Sequence, residues 1–428
     1  MSHTTAALPA PSSFATRWTL DPTVVFLNHG SFGGCPREVL AEQTRIRAQM
    51  ESEPVRFFVE ELQDLMDRAR DAVAGFVDCD WDCLAFLPNA TTGVAVALES
   101  VGLQPGDEIL VNDHEYAACL NNARRIAQQT GAKVVSVRLP WPVPSEQSVV
   151  DAVLAGVTSR TRVALISHVT SPSGLVLPVE KLIPALRSKG IVTLIDGAHA
   201  PGMIDGLSMR RLDPDYYTAN CHKWICSPKG SAFLYVRRDR RESCRPLVLS
   251  NNAELPKPGR DQYLTEFDYI GTSDYSAMLS IPVALETMSS MLSGGFSAVM
   301  RHNRTQVLNA RRMITGALGI APVAPESMIG SIASIFIPAR GPSYPASTRP
   351  ASRRYGDTIQ ERLIDRWRIQ VPIMSVPGTP QRVLRISSHL HNSPAQYEYL
   401  LTALRQELAA ENENLAGRLS GRSEQSLR

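Results

Sequence analysis

Lysine is scarce in this chain. Only six of its 44 basic side chains are lysines (Lys133, Lys181, Lys189, Lys223, Lys229 and Lys257), and arginine supplies the other 38. An arginine keeps its charge in a protein, so any step that needs an amine able to lose its proton must draw on those six. Neither GxGxxG nor GxxxxGK[ST] occurs, which argues against a dinucleotide or nucleoside triphosphate site. No apolar run approaches the roughly 18 residues that a membrane span requires. The seven cysteines are odd in number and scattered, and Cys79 and Cys83 have no second pair with which to complete a zinc site. No metal is therefore expected. The opening "MSHTTAALPAPSSFATRW" lacks a basic start followed by an apolar core, so no secretory signal is read and reduced thiols in the cytoplasm are expected. Basic and acidic residues nearly cancel, at 44 against 42, and a net charge of +2 demands neither nucleic acid nor an anionic membrane as partner.

What is present is an ordinary globular composition, 43% apolar and 20% charged, over a length of 428 that suggests two or three domains. Residues 1–20 are polar and expected to be mobile. In 21–54, "VVFLNHGSFGGCP" is an extended piece and a Gly-rich turn, followed by a helix opened by Pro36; this segment is expected to contribute to the small domain and active site. Phe58, Leu62, Leu65, Ala69, Val73 and Phe76 then recur at helical spacing. From there strands and helices alternate. "CLAFLP", "DEILVND", "KVVSVRL", "RVALISHV" and "IVTLIDGAH" read as strands, and they are apolar throughout, as expected when helices cover both faces of a parallel sheet. This predicts a doubly wound, mostly parallel α/β domain over 55–290. A smaller α+β domain follows over 291–411, interrupted by "ARGPSYPASTRPAS", and 412–428 read as a polar tail. The stretch 250–275 is long, polar and without regular pattern, as functional loops are.

Ligands of open α/β sheets bind beyond the carboxyl ends of the strands, so the residues after each strand matter most. "NATTG" follows the first strand and opens a helix. Free amides there, with the Thr91 and Thr92 hydroxyls, suit a phosphate, or the segment is simply a helix cap. "DGAHA" follows "IVTLI", and Asp196 at the end of an apolar strand either meets a cation or caps the next turn. "CHKW" follows "DYYTAN", and Lys223 is either a reactive amine or a lysine reaching solvent from a loop. Pyridoxal 5′-phosphate asks for all three parts: a phosphate cradle, an acid for its pyridine nitrogen and a lysine for its aldehyde.

The segments "FLNHGSFG", "PVRFF", "NATTG", "GDEILVNDHEYAA", "SHVTSPSGLVLPV", "DGAHAPG", "CHKW…PKGSAFLYV", "IGTSDYSA" and "LRISSHLHN" resemble, in order and over nearly the whole chain, the class V aminotransferase family of fold-type I pyridoxal-phosphate enzymes. Within it the chain is most similar to the isopenicillin N epimerase-like branch. The resemblance implies that Lys223 forms the Schiff base, with Lys229 the decoy, and that Asp196 pairs with the pyridinium nitrogen. It implies that His199 sits near the phenolic oxygen and Tyr116 on the ring face, with Ala90, Thr91, Thr92, Asn220 and His222 around the phosphate. Gly271 and Thr272 would reach that phosphate from a second subunit, which implies a homodimer with shared active sites. Arg385 would clamp the substrate carboxylate through a bidentate fork, with Asn28, His29, Arg56 and Ser171 as further substrate contacts. Cysteine desulfurases of the family carry a nucleophilic cysteine before that arginine, but "IQVPIMSVPGTPQRVLR" has none, which argues against persulfide transfer.

The implied substrate is an amino acid or a peptide-like amine such as isopenicillin N. Epimerisation needs a second acid/base, and no residue is identified for it here. A C–S lyase acting on a cysteine conjugate, an aminotransferase and a catalytically silent binding module of the same fold are the alternatives. The loops 250–275 and 341–352 are the expected sites of specificity.

Overall fold

The computed structural model describes residues 7–255, 257, 259–337, 356–375 and 382–425, with the side chains of the last helix described as far as Glu411. The loop 341–352 lies outside the described residues. The chain forms two compact units, Gly30–Arg301 with Ala324–Gly330, and Met1–His29 with His302–Val323 and Ser331–Arg428.

The first unit is built on seven strands: β1 (Leu84–Leu87), β2 (Glu108–Asn112), β3 (Lys133–Val137), β4 (Thr161–Ser167), β5 (Val192–Asp196), β6 (Tyr216–Asn220) and β7 (Ala232–Val236). Their order is β1-β7-β6-β5-β4-β2-β3. Only β7 runs against its neighbours; every other pair is parallel. Edge strand β3 is partly exposed, while the rest are buried at nearly every position. The uninterrupted apolar runs have this cause, since both sheet faces are covered. The chain leaves β2 toward β3 on one side and returns to β4 on the other. The crevice at that reversal is where a doubly wound sheet takes its ligands.

The helix expected from Phe58 begins with a π turn, Phe57–Glu61, in which the Leu62 amide reaches back to the Phe57 carbonyl. This wider turn places Phe57 inside and leaves Phe58 half-buried. Through Leu62–Val77 the buried stripe then runs along Leu62, Met66, Ala69, Val73 and Val77, with Leu65 and Phe76 on its flank. The stretch 250–275 also holds more structure than its polarity suggests. Asp261 caps a helix, Gln262–Asp268, whose residues 263–268 are all buried. Its acids are buried because arginines meet them. Glu266 accepts from Arg245 Nε at 2.8 Å, and Asp268 takes Arg70 and Arg260. Polar letters there mark an ion-paired interior rather than an open loop.

The second unit holds β8 (Ile332–Ile337), β9 (Ile373–Ser375) and β10 (Arg382–Ser387), antiparallel in the order β9-β10-β8. Val25–Phe26 pairs in parallel with Ile369–Gln370. Within the segment expected to be mobile, Ser13–Arg17 forms a 3₁₀ turn and Trp18 is buried. One large aromatic suffices to fix a short polar stretch. The last helix, Pro394–Gln425, continues through most of the expected polar tail. Among the described residues no helix is long and apolar enough to cross a membrane.

Helix Ala90–Ser100 lies on β6 at Gly93, where an added Cβ would come within 2.0 Å of Thr218 Oγ1. Gly93→Ala is expected to cost about 1–3 kcal/mol. By contrast, Gly75, which has nothing within 4 Å of an added Cβ, should gain about 0.5–1 kcal/mol on the same change. Thermal unfolding midpoints of the two variants should therefore move in opposite directions from wild type.

Candidate active site

Strand β5 is buried at every position, and it delivers Asp196, its last residue, to the carboxyl edge of the sheet. Asp196 Oδ1 accepts from the Ala198 amide at 2.9 Å, and the Cys119 thiol lies 3.2 Å from Oδ2. Burial raises the Asp196 pKa; the Ala198 amide, the thiol and the charge of Lys223 work the other way. Beyond β6, Lys223 Nζ stands 3.1 Å from His199 Nε2. The Trp224 indole N–H donates to His199 Nδ1 at 3.4 Å. An indole nitrogen can only donate, so Nδ1 is the acceptor of that contact. The other lysine of the segment, Lys229, is exposed and donates to the Gly33 carbonyl at 3.0 Å. Gly33 itself has φ +72, and an added Cβ would sit 2.2 Å from the His222 carbonyl oxygen. Only glycine lets the N-terminal turn lie directly on the backbone of the lysine loop.

At the head of helix Ala90–Ser100 the cap is Asn89, which accepts from the Thr92 amide at 2.9 Å and from its hydroxyl at 3.1 Å. The Ala90 amide donates to Asn220 Oδ1 at 2.8 Å, so the structure brings Ala90 and Asn220 together. Thr92 is thus engaged in the cap, and no side-chain acceptor holds the Thr91 amide among the described residues. His222 Nδ1 lies 3.0 Å from the Ser231 carbonyl, to which it can only donate. Burial, then Lys223, lowers its pKa to about 4, leaving a neutral ring with a lone pair on Nε2. Tyr116 caps helix Ala117–Thr130 and is exposed. Ser171 is half-buried in the turn closed by the Gly174 amide on the Thr170 carbonyl. Arg56 is exposed and ion-paired to Glu61 at 2.9 Å. Gly271 and the exposed Thr272 lie on a loop whose hydrogen bonds run to Tyr275 and Tyr269, both at 2.9 Å.

Several polar groups of this edge were not singled out from the sequence. Glu115, after β2, is buried; its Oε1 accepts from the Tyr116 amide and the Ser167 hydroxyl, both at 2.8 Å. Its Oε2 has no hydrogen-bond partner among the described residues, nor has His114 Nε2 or His168 Nε2. His114 Nδ1 meets Ser173 Oγ at 2.7 Å, and His168 Nδ1 meets the Tyr217 hydroxyl at 2.9 Å. Their signal was position: "NDHEY" and "SHVTS" each put polar residues straight after a wholly apolar strand.

In the second unit Arg385 sits on the central strand β10, buried, with Nη2 at 3.5 Å from Asn28 Oδ1. Burial lowers its pKa to about 10. His29 stacks on His389 with ring centroids 4.2 Å apart, and its Nδ1 lies 3.3 Å from His391 Nε2. Trp18 meets both partner rings edge-on, at 5.3 and 5.4 Å. The sequence pointed to Asn28, His29 and Arg385 separately, and the structure brings Asn28 and Arg385 together.

The Aminotransferase class-V family profile matches residues 34–326. The chain is 33% identical over 413 residues to isopenicillin N epimerase of Amycolatopsis lactamdurans, covering 92% of this chain and 99% of that one. It is 28% identical over 408 residues to a probable chloroplastic L-cysteine desulfhydrase of Arabidopsis thaliana, covering 90% and 83%. The cysteine desulfurase CsdA of Escherichia coli superposes with a TM-score of 0.72 at 21% identity, over 93% of this chain and 98% of that one, a likeness of fold. Fold, strand-end chemistry and kinship agree: this chain belongs to the class V aminotransferase family and is a pyridoxal-phosphate enzyme.

Proposed function

We propose that the enzyme moves the α-proton of an amino acid or peptide-like amine, in the manner of its isopenicillin N epimerase relatives, and works as a cytoplasmic homodimer. The observation that carries this reading is the Lys223 amine, half-buried at the carboxyl edge of the sheet with its Nζ 3.1 Å from His199 Nε2. The donor set suits pyridoxal phosphate: a nucleophilic amine, a buried carboxyl and a capped helix start with a spare Thr91 amide all belong to the carboxyl edge of one sheet. Bound there, the cofactor withdraws electrons from the substrate's α-carbon. The chain's own residues do the rest. Lys223 attaches the cofactor and, once displaced by the substrate amine, takes the α-proton on its nitrogen. Asp196 keeps a negative charge against the ring nitrogen. Trp224 donates to His199, which stands beside the lysine and close to the phenolic oxygen. Tyr116 covers the ring face.

The phosphate falls to Ala90, Thr91, Thr92, Asn220 and His222, with Asn220 orienting the Ala90 amide. The neutral His222 must take up a proton to donate, and a dianion beside it supplies the reason to do so. Gly271 and Thr272 are assigned to the partner subunit's phosphate. Arg385 is the substrate-carboxylate clamp, a guanidinium already stripped of water, with Asn28, His29, Arg56 and Ser171 as further contacts. Seven buried thiols suit a reducing cytoplasm.

A C–S lyase is the second reading, favoured by the desulfhydrase relative at 28% identity. It needs only Lys223 as base and room for the departing sulfur, whereas epimerisation needs an acid on the opposite face. With a panel of amino acids in deuterated water, deuterium at Cα with inverted configuration identifies an epimerase. Pyruvate with ammonia identifies β-elimination. Failure of every substrate to exchange its α-proton in loaded enzyme would overturn both readings.

Lys223→Ala should abolish the visible absorbance of the attached cofactor, while Lys229→Ala keeps it; the reverse result would reassign the lysine. In sedimentation the loaded protein should run as a dimer and release cofactor when diluted to monomer. A monomer that stays loaded and active sinks the shared phosphate site.

A further inference from the structure

Glu115 is an expensive residue to place where it stands. It follows β2 at the point where the strand order reverses, and its carboxyl is buried. Oε1 is held from two sides, by the Tyr116 amide and the Ser167 hydroxyl. Oε2 faces no donor among the described residues, although it is inaccessible to water. Oxygens of Glu115 and Asp196 and the sulfur of Cys119 all lie within 4.8 Å of one another. Two buried carboxylates that close cannot both ionise cheaply, and an orphaned carboxylate oxygen is costlier still. A proton on one of them removes both penalties.

The surroundings say which one. From β5 comes Asp196, from helix Ala117–Thr130 comes Cys119, from the lysine loop Lys223, and from β4 and β6 the pair His168 and Tyr217, with His114 next in the chain. Burial holds His168 neutral with its pKa lowered to about 4, and it pushes the Cys119 thiol and Tyr217 hydroxyl well up. His114 is lowered by the same cause. The charges left to settle are those of Lys223 and the two carboxyls. Asp196 has the Lys223 charge acting on it; Glu115 has the Asp196 charge instead, and burial together with that like charge lifts its pKa to about 8.

We propose that Glu115 and Asp196 hold one proton between them, that Glu115 carries it, and that Glu115 is thereby a positioning residue leaving Asp196 as the single negative charge of the pair. This rests on the reading that Asp196 faces the cofactor's ring nitrogen. A neutral Glu115 gives that nitrogen one counter-charge rather than two, and deprotonation adds the second. The proton remains in the pair throughout and no bond to it breaks during catalysis.

The cofactor-free protein tests the pair directly. With ¹³C-labelled glutamate, the infrared carbonyl stretch of a protonated carboxyl should be present at pH 7, absent in Glu115→Gln, and lost from wild type as pH rises through about 8. In Asp196→Asn the like charge is gone, so the band should vanish at a pH lower by one unit or more. Stability gives the same answer by linkage. A folded pKa of about 8, above the ordinary 4.5, means stability that is complete below 4.5 and lost as pH rises to 8. The unfolding midpoint of Glu115→Gln relative to wild type should therefore rise steadily between pH 5 and 8 and then level off. No labelled band at pH 7, or two midpoint curves that stay parallel, overturns the proton assignment. A band that titrates at the same pH in Asp196→Asn overturns the pairing. If Glu115→Gln gives no folded protein, the titration of the wild-type band decides alone. The cofactor reading is judged separately: an Asp196→Asn holoenzyme whose visible spectrum and pH profile match wild type refutes the ring contact and leaves the pair standing.

Discussion

A carboxyl at the end of a fully buried strand must be met by other polar groups, and the polar layer of the larger unit is organised around that need. Asp196 is where the demand originates. One oxygen takes a backbone amide, the other a thiol, a weak donor, and so the site is left short of compensation. A lysine on the loop after the next strand and a second buried carboxyl, Glu115, are what the chain provides. Around them the sheet's carboxyl edge carries His114, Ser167, His168, Ser173 and Tyr217, tied in pairs rather than left to water. Since both sheet faces are covered, polar side chains have nowhere to go but the strand ends, and the chemistry follows them there.

The same economy explains the use of cations. Structural charge is handled by arginine, whose planar fork suits two carboxylates at once. Arg70 and Arg260 with Asp67 and Asp268 are an example, buried and bidentate. Lysine is kept for surface positions and for the half-buried Lys223 beside His199. The scarcity that opens the sequence is therefore a division of labour rather than an accident of composition.

How much could be read in advance depended on whether the signal was local. Apolar strands announce themselves, and the residues that follow them, Asp196 and Lys223 among them, could be picked out by position. Glu115 could not, because in "NDHEYAA" five polar or amphipathic residues stand together and only the fold says that Asn112, His114 and Glu115 are the buried ones. The π turn at Phe57 put Phe57 rather than Phe58 inside, and further along the helix Met66 and Val77 are buried where Leu65 and Phe76 were expected. The stretch 250–275 was opaque for the opposite reason. Its buried acids look like solvent-facing letters until Arg70, Arg245 and Arg260, distant in sequence, are seen to neutralise them. The grouping of Met1–His29 with residues after 300 is likewise a long-range fact.

The seat of Gly33 on the lysine loop has a consequence for how the enzyme comes into being. Its carbonyl is bound by a residue 196 positions further along the chain, and its missing side chain is required by the backbone at His222. Closing so long a loop is slow and unrewarded until both ends are in place. During synthesis the N-terminal turn must wait, unpartnered, until more than half of the protein has left the ribosome. The loop that carries Lys223 thus acquires its full setting only when segments nearly 200 residues apart have met.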